Sequence, residues 1–356
     1  MVLSVGFKNF RNLCESVQDL GKGVNLIYGD NAQGKTNFLE SIYLCATGRS
    51  QRTVNDREMI RFGEKDAYIH LNMSNCDQID INLKKDQKKG IAINKIPIKK
   101  LGDLFGHLHV IIFTPEDMKL VKAGPVERRQ FMDMELCQLS KLYYHEIQQY
   151  YRVLKQRNIL LKMIQSKNSL KDTLHVWNEQ LMDHGLKIME KREKFIYEIS
   201  EAASKIHNEI TGSNEDLTIQ YKANVQPDEF REKLERSADR DTVVGNTSVG
   251  IHKDDLMFSI NGNDAKTYAS QGQQRTVSLA TKLAEIYIIK KNRKENPVLL
   301  LDDVFSELDG NRQKYFHKNI EESQTIITCT GLNEVINNLP GDVSIYHMSK
   351  GKMRRQ

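Results

Sequence analysis

The stretch "YGDNAQGKTNFLESI", residues 28–42, follows the apolar run "VNLI" (24–27) and leads into a helical pattern. Within it, Gly29-Asp30-Asn31-Ala32-Gln33-Gly34-Lys35-Thr36 fits GxxxxGK[ST]. Glycine lets the backbone curl so that successive N–H groups point inward at anionic oxygens. A helix starting near Gly34 aims its positive end at the same place. Lys35 would reach the outer phosphates of ATP, and the Thr36 hydroxyl would hold Mg²⁺. A Gly-containing loop can match this pattern by chance, but the order strand, loop, amphipathic helix is the context the motif requires. The candidate nucleotide contacts are therefore Gly29, Asp30, Asn31, Ala32, Gln33, Gly34, Lys35, Thr36 and the adjoining Asn37. The helix is predicted over 35–47, with Leu39, Ile42 and Tyr43 on one face.

A second stretch, "VLLLDDVFSELD" (298–309), completes the chemistry. Four apolar residues end in two aspartates, as a buried strand does when it delivers carboxylates to a site. Asp302 would coordinate the metal, and Asp303 would orient or deprotonate an attacking water. A third, "YASQGQQRTVSLA" (268–280), sets Ser270 and Gly272 just ahead of a helix whose N-terminal amides suit an anion. The same Ser-x-x-Gln spacing also reads as an ordinary capping box, so both readings stand at this point.

The chain has 356 residues, enough for a large core and two lobes. Its 39% hydrophobic and 28% charged composition suits a globular fold and excludes disorder. No run approaches the apolar length of a membrane span, and "MVLSVGFKNF" lacks a secretory layout, so the expected compartment is the cytoplasm. Five cysteines stand singly, which argues against a disulfide framework or a structural zinc site. The formal net charge of +5 permits a polyanionic partner without demanding one.

Six strand-like runs precede residue 115, with the helix at 35–47 among them. From Val126 to about Gln165 the periodicity is helical, "QSKNSLKDT" (165–173) breaks it, and a second helical run follows. Thr173 is placed to cap that second helix. Strands return with "LTIQYKANV" (217–225), a hairpin around Asn261-Gly262, and a closing hairpin over 343–353. The expected organisation is a composite head, 1–125 with 212–356, interrupted by an antiparallel helical arm at 126–211.

Together these segments resemble the ABC-type ATPase heads of the SMC and recombinational-repair class, and within it the RecF family. The resemblance runs through "FKNFRNL" (7–13), the phosphate loop, "ATGRSQRT" (46–53), "IIFTPEDMKLVKAGPVERRQFMD" (111–133), "VGIHKDDL" (249–256), "SQGQQRTVSLATKLAE" (270–285) and "LLLDDVFSELD" (299–309). It implies an α/β fold, an ABC/SMC-type P-loop ATPase head with a mixed sheet and an inserted α-helical arm. It further implies a head-to-tail dimer formed on ATP, in which Ser270, Gly272 and Gln273 of one subunit meet the γ-phosphate bound by the other. Glu307, Leu308 and Asp309 match the loop that crosses such a seam. Arg11 and Asn12 match a segment beside the nucleotide, and Glu116 sits where transporter heads place a metal-binding glutamine. The signature reads SQGQQ, Asp303 stands in place of the usual glutamate, and Thr330 replaces a switch histidine, all departures from transporter heads. Ile251 stands where proline is expected, and His252 reads more readily as structural than catalytic.

The activity so implied is weak, DNA-stimulated ATP hydrolysis in gap repair. DNA partners would be duplex and gapped junctions, and protein partners RecR with RecO and, indirectly, RecA. The competing readings are a transporter ATPase subunit and a nuclease-associated ATPase. The long interval between Lys35 and Ser270 disfavours the first, and the absence of an acidic nuclease segment after residue 310 disfavours the second. Candidate DNA contacts are Arg49, Arg52, Arg57, Lys84 and Lys85, with further basic pairs at Lys88 and Lys89, Lys99 and Lys100, and Arg128 and Arg129. Few aromatics interleave with them, which favours duplex backbone over base stacking.

Overall fold

A computed structural model describes residues 1–304, 312, 313, 316, 322–336, 339 and 343–356. The seam residues Glu307, Leu308 and Asp309 lie outside the described residues. The chain divides into two compact units, Met1–Asp117 with Glu285–Gln356, and Met118–Ala284.

The first unit holds β1 (Val2–Lys8), β2 (Ser16–Asp19), β3 (Val24–Tyr28), α1 (Lys35–Thr47), β4 (Asp66–Met73), β5 (Gln78–Lys84), β6 (Gly90–Ile93), β7 (Ile96–Pro97) and β8 (Val110–Phe113). β12 (Val298–Asp302), β13 (Thr325–Cys329), β14 (Val343–Ser349) and β15 (Lys352–Arg355) also belong to it. One sheet, in the order β2-β1-β4-β5-β6-β7, is antiparallel throughout. The other, β15-β14-β3-β13-β12-β8, is parallel except for the β14–β15 hairpin, so it is mixed.

α1 lies in the core that joins these sheets. Phe38, Leu39, Ile42, Leu44, Cys45 and Ala46 are buried with Val5, Ile69 and Ile81 of one sheet and Ile27, Leu300 and Ile326 of the other. The expected single apolar face of Leu39, Ile42 and Tyr43 is therefore too narrow. A helix covered from two sides is apolar almost all round. β12 and β13 are buried at every position for the same reason, being central strands covered on both faces, and β12 accordingly reads VLLL before its terminal Asp302. β2, "SVQD", lacks that pattern because it is an edge strand with alternating half exposure.

The second unit contains α2 (Lys119–Lys122), α3 (Pro125–Leu139), α4 (Lys141–Ser166), α5 (Leu174–Thr211), β9 (Leu217–Lys222), α6 (Phe230–Val244), β10 (Asp255–Ile260), β11 (Asn263–Asp264) and α7 (Ala265–Tyr268). It also contains the start of α8 (Gln271–Arg293). α4 and α5 pack as an antiparallel arm, closed at its turn by Leu160, Leu161, Ile164 and Leu174. The 38 residues of α5 reach about 57 Å at 1.5 Å per residue. The helical run after Val126 is two helices, broken where Ser140 accepts from the Tyr143 amide at 3.1 Å and caps α4. Thr173 does not cap α5; its hydroxyl donates back to the Leu170 carbonyl at 2.7 Å. β9 packs along α5 and β10 against α3, so these strands group with the helices. The hairpin at Asn261-Gly262 is present, with positive φ at both residues as a type I′ turn requires.

Arg157 and Arg192 are wholly buried within this unit. Arg157 donates to Asp241 (2.9 Å), Thr247 (2.8 Å) and Asn178 (2.8 Å). Arg192 donates to Asp133 and Asp254, both at 2.8 Å, and to the Ile251 carbonyl. Both side chains are 0% exposed. His252 accepts from the Tyr150 hydroxyl and donates to the Thr247 carbonyl at 3.0 Å. Burial lowers its pKa to about 4, so it is a neutral structural histidine.

Candidate functional site

The phosphate-loop motif forms the turn between β3 and α1. Gly29 cannot be replaced freely, since an added Cβ would stand 2.2 Å from the Met348 carbonyl oxygen. Gly34 caps α1 at φ 115°, and a Cβ there would meet Asn12 and Leu13 at 2.9 Å. Ala32 also takes a left-handed conformation, at φ 62°. The result is a curled loop packed against the Met348 backbone at one end and the Asn12 and Leu13 side chains at the other.

Lys35 is 4% exposed and folds back into this loop. Its ammonium donates to the Gly29 carbonyl at 2.7 Å and the Asp30 carbonyl at 3.0 Å. The Thr36 hydroxyl donates to Asp302 at 2.9 Å, and Thr328 donates to the same carboxylate oxygen at 2.9 Å. Phosphate loop, β12 and β13 thus converge at the carboxyl ends of parallel strands, where open α/β sheets place their ligands. Burial raises the Asp302 pKa, opposed by the Thr36 and Thr328 hydrogen bonds and reinforced by Asp303. Asp303 follows at φ 54°, its amide held by the Thr328 hydroxyl at 3.1 Å. Glu116 is exposed just after β8, the strand beside β12. Thr330 is exposed immediately after β13.

Arg11 and Asn12 flank the loop. Asn12 donates to the Ala32 carbonyl at 3.1 Å and accepts from Asn37 at 2.8 Å. Arg11 makes a two-pronged pair with Glu40, at 3.0 and 2.8 Å. Glu40, fully buried on α1, also accepts from Ser50 at 2.5 Å and lies 3.6 Å from Arg52. Sequence reasoning missed Glu40 and Ser50; a lone acid inside an apolar helix was the one available signal.

In the second unit, Ser270 and Gln273 form a reciprocal capping box: the Ser270 amide donates to the Gln273 side chain at 2.8 Å, and the Gln273 amide donates to Ser270 Oγ at 3.2 Å. Gly272 is different. Among the described residues, a Cβ there would meet nothing closer than Ser270 Oγ at 3.9 Å, so no crowding among them demands glycine.

The basic candidates separate into two groups. Arg49, Arg57 and Lys84 are exposed and Lys85 is half-buried. Arg52 is exposed but tied inward, donating to Asn37 at 2.8 Å. Arg128 is not a solvated cation: it is buried and grips Asp255 at 2.6 and 2.9 Å, while Arg129 donates to the Asp254 carbonyl. Lys89 pairs with Asp56 at 2.8 Å. No helix among the described residues is long and apolar enough to cross a membrane.

Comparison with known proteins follows the same lines. Residues 1–354 match the family model described as RecF/RecN/SMC N terminal domain. The DNA replication and repair protein RecF of Lachnospira eligens is 48% identical over 356 residues, covering 99% of this chain and 98% of the relative. That of Agathobacter rectalis is 46% identical, again covering 99% and 98%. Among solved structures, the recombination mediator protein RecF with ATP in the RecFOR pathway aligns with a TM-score of 0.93 at 35% identity, covering 100% of this chain and 97% of that one. The Smc head domain with an extended coiled coil from Pyrococcus furiosus aligns at 0.55 and 15% identity, covering 100% and 95%, a likeness of fold.

Proposed function

Since this chain belongs to the RecF/RecN/SMC N-terminal domain family, we propose that it is an ATP-dependent DNA-binding protein of recombinational repair. The observation that carries this reading is the meeting of Lys35, Thr36 and Asp302 at the mouth of the curled loop. Backbone amides and the Lys35 ammonium would take the phosphates, with Arg11 and Asn12 beside them. The oxygen pair of Thr36 and Asp302 is a hard donor set of the kind Mg²⁺ takes. These two residues would hold the ion, which when bound supplies charge stabilisation on the phosphoryl oxygens. Asp303 would orient the attacking water and accept its proton.

In this reading ATP joins two copies head to tail, with Ser270, Gly272 and Gln273 of one facing the γ-phosphate of the other. Gly272 is compatible with it, since no crowding among the described residues accounts for a glycine at that position. The capping box at Ser270 is compatible, since capping fixes the helix end that would be presented. The 126–211 arm would be an insertion in a head of 1–125 and 212–356. The dimer would bind duplex DNA and gapped junctions in the cytoplasm through surface cations including Arg49, Arg57, Lys84 and Lys85. It would act with RecR and RecO to help load RecA, and slow, DNA-stimulated hydrolysis would release it. The relatives' RecF names and the RecFOR setting of the solved RecF–ATP structure support these partners.

The test is turnover by purified protein with and without duplex DNA, joined to Ser270→Arg. The variant should bind ATP as a monomer, yet fail to dimerise in sedimentation with a slowly hydrolysed analogue. If Ser270 is only a cap, dimerisation should survive and the change should cost about 1 kcal/mol of stability.

A further inference from the structure

The closing hairpin was read from sequence only as a turn between two strands. Its two faces differ sharply. Tyr346, Met348 and Met353 point into the core of the first unit. On the opposite face, His347 pairs across from Arg354 and Ser349 from Lys352, and all four are exposed. Directly opposite residues share a face, so Lys352 and Arg354 stand side by side at alternate positions of β15. Lys350, also exposed, adds a third cation at the turn. On the next strand, the Tyr28 ring lies tilted against His347 with ring centroids 4.9 Å apart, and its hydroxyl accepts from Gln356 at 2.6 Å.

Elsewhere in this unit, cations are often answered by carboxylates: Arg52 by Glu40, Lys89 by Asp56, Lys290 by Glu322. Among the described residues, Lys350, Lys352 and Arg354 form no ion pair, and no carboxylate lies on either strand of the hairpin. The cations are also rigidly mounted. The Lys350 amide donates to the Gln33 side chain at 2.6 Å and the Gly351 amide to the Gln33 carbonyl at 2.9 Å. Gly351 packs so closely that a Cβ would stand 2.1 Å from the Asn12 carbonyl oxygen. A flexible basic tail could not hold its charges in register; a hairpin fastened to the phosphate loop does.

We propose that the exposed face of the β14–β15 hairpin, carrying Lys350, Lys352 and Arg354, is a contact for the phosphate backbone of duplex DNA. This rests on the DNA-binding reading above and adds a surface to it. Charge of one sign, fixed spacing and no exposed apolar side chain on that face suit a sequence-independent polyanion. An acidic protein face would meet the same cations, so the experiment separates the two.

The measurement compares wild type with the double variant Lys352→Ala, Arg354→Ala, using a short blunt duplex and a slowly hydrolysed ATP analogue across a salt series. Losing two phosphate contacts in each copy that touches the duplex should flatten the slope of log affinity against log salt by about 1.8 per copy. Between 50 and 200 mM salt the variant should then lose less affinity than wild type, by a factor of about 12 for each such copy. The reversal Lys352→Glu, Arg354→Glu should weaken DNA binding further. Retained analogue binding certifies that the fold and loop are intact in both. An unchanged slope in the variants would overturn the proposal. Loss of self-association with an unchanged DNA slope would also overturn it and assign the face to a protein contact. Absence of duplex binding by wild type itself would instead defeat the broader DNA-binding reading.

Discussion

Each unit buries cations, but in opposite company. In the second unit, Arg157 and Arg192 are met by carboxylates: Asp241 for one, Asp133 and Asp254 for the other. In the first, Lys35 is nearly as deeply buried and is met by two neutral carbonyls, with no carboxylate partner among the described residues. A buried charge without a counter-charge is unfavourable unless something else supplies one. The arginines are complete within the fold and act as its fasteners. In the function proposed above, Lys35 is left for an anion that arrives from outside. On that reading the difference separates a structural charge from a functional one without reference to any motif.

Replacing one cation from each region tests this most directly. Lys35→Met should abolish ATP binding, measured by titration calorimetry, while leaving the thermal midpoint close to wild type. Arg192→Met should do the reverse, destabilising the protein by about 3–5 kcal/mol because the buried Asp254 is left without a counter-charge and the half-buried Asp133 loses its partner. Loss of stability in the first variant, or loss of ATP binding at unchanged stability in the second, would break the comparison. Asp303→Asn sharpens it on the acid side. The amide keeps the shape but cannot accept a proton, so ATP should stay bound and turnover should stop. Unchanged turnover would move the catalytic base elsewhere.

The smallest effect concerns His252, whose burial lowers its pKa from 6.5 to about 4. The unfolded chain binds this proton first, so the neutral ring contributes stability above pH 6.5. That contribution is lost as pH falls from 6.5 toward 4 and amounts to on the order of 3 kcal/mol. His252→Gln should flatten the acid side of the pH–stability profile while leaving ATP affinity at neutral pH unchanged.

What could be read from the sequence follows from how far apart the partners lie. The phosphate loop is contiguous, and its strand and helix are its neighbours, so the turn of Gly29 to Thr36 between β3 and α1 was visible at once. Asp302 was visible because an apolar strand ending in acid is itself a local pattern. Glu40 was not, since Arg11 and Arg52 reach it only once the chain folds. Arg128 was misread as surface charge because its partner, Asp255, is supplied by β10, far along the chain. The break at Ser140 was hidden by helical periodicity that continues on both sides of it. α1 looked one-sided because neither sheet that covers it is evident from its own residues.

That double covering has a consequence for how the site survives thermal motion. Helix amides exchange with solvent by fraying at an end or by opening with everything packed on them. Through Phe38, Leu39, Ile42 and Leu44, α1 touches the core of both sheets, so its interior cannot open while either sheet is closed. Its amides should be among the slowest in the first unit to exchange, and Thr36 and Glu40 ride on the same helix. The base of the phosphate loop, where Lys35 and Thr36 begin α1, is therefore anchored in the part of the unit expected to open last.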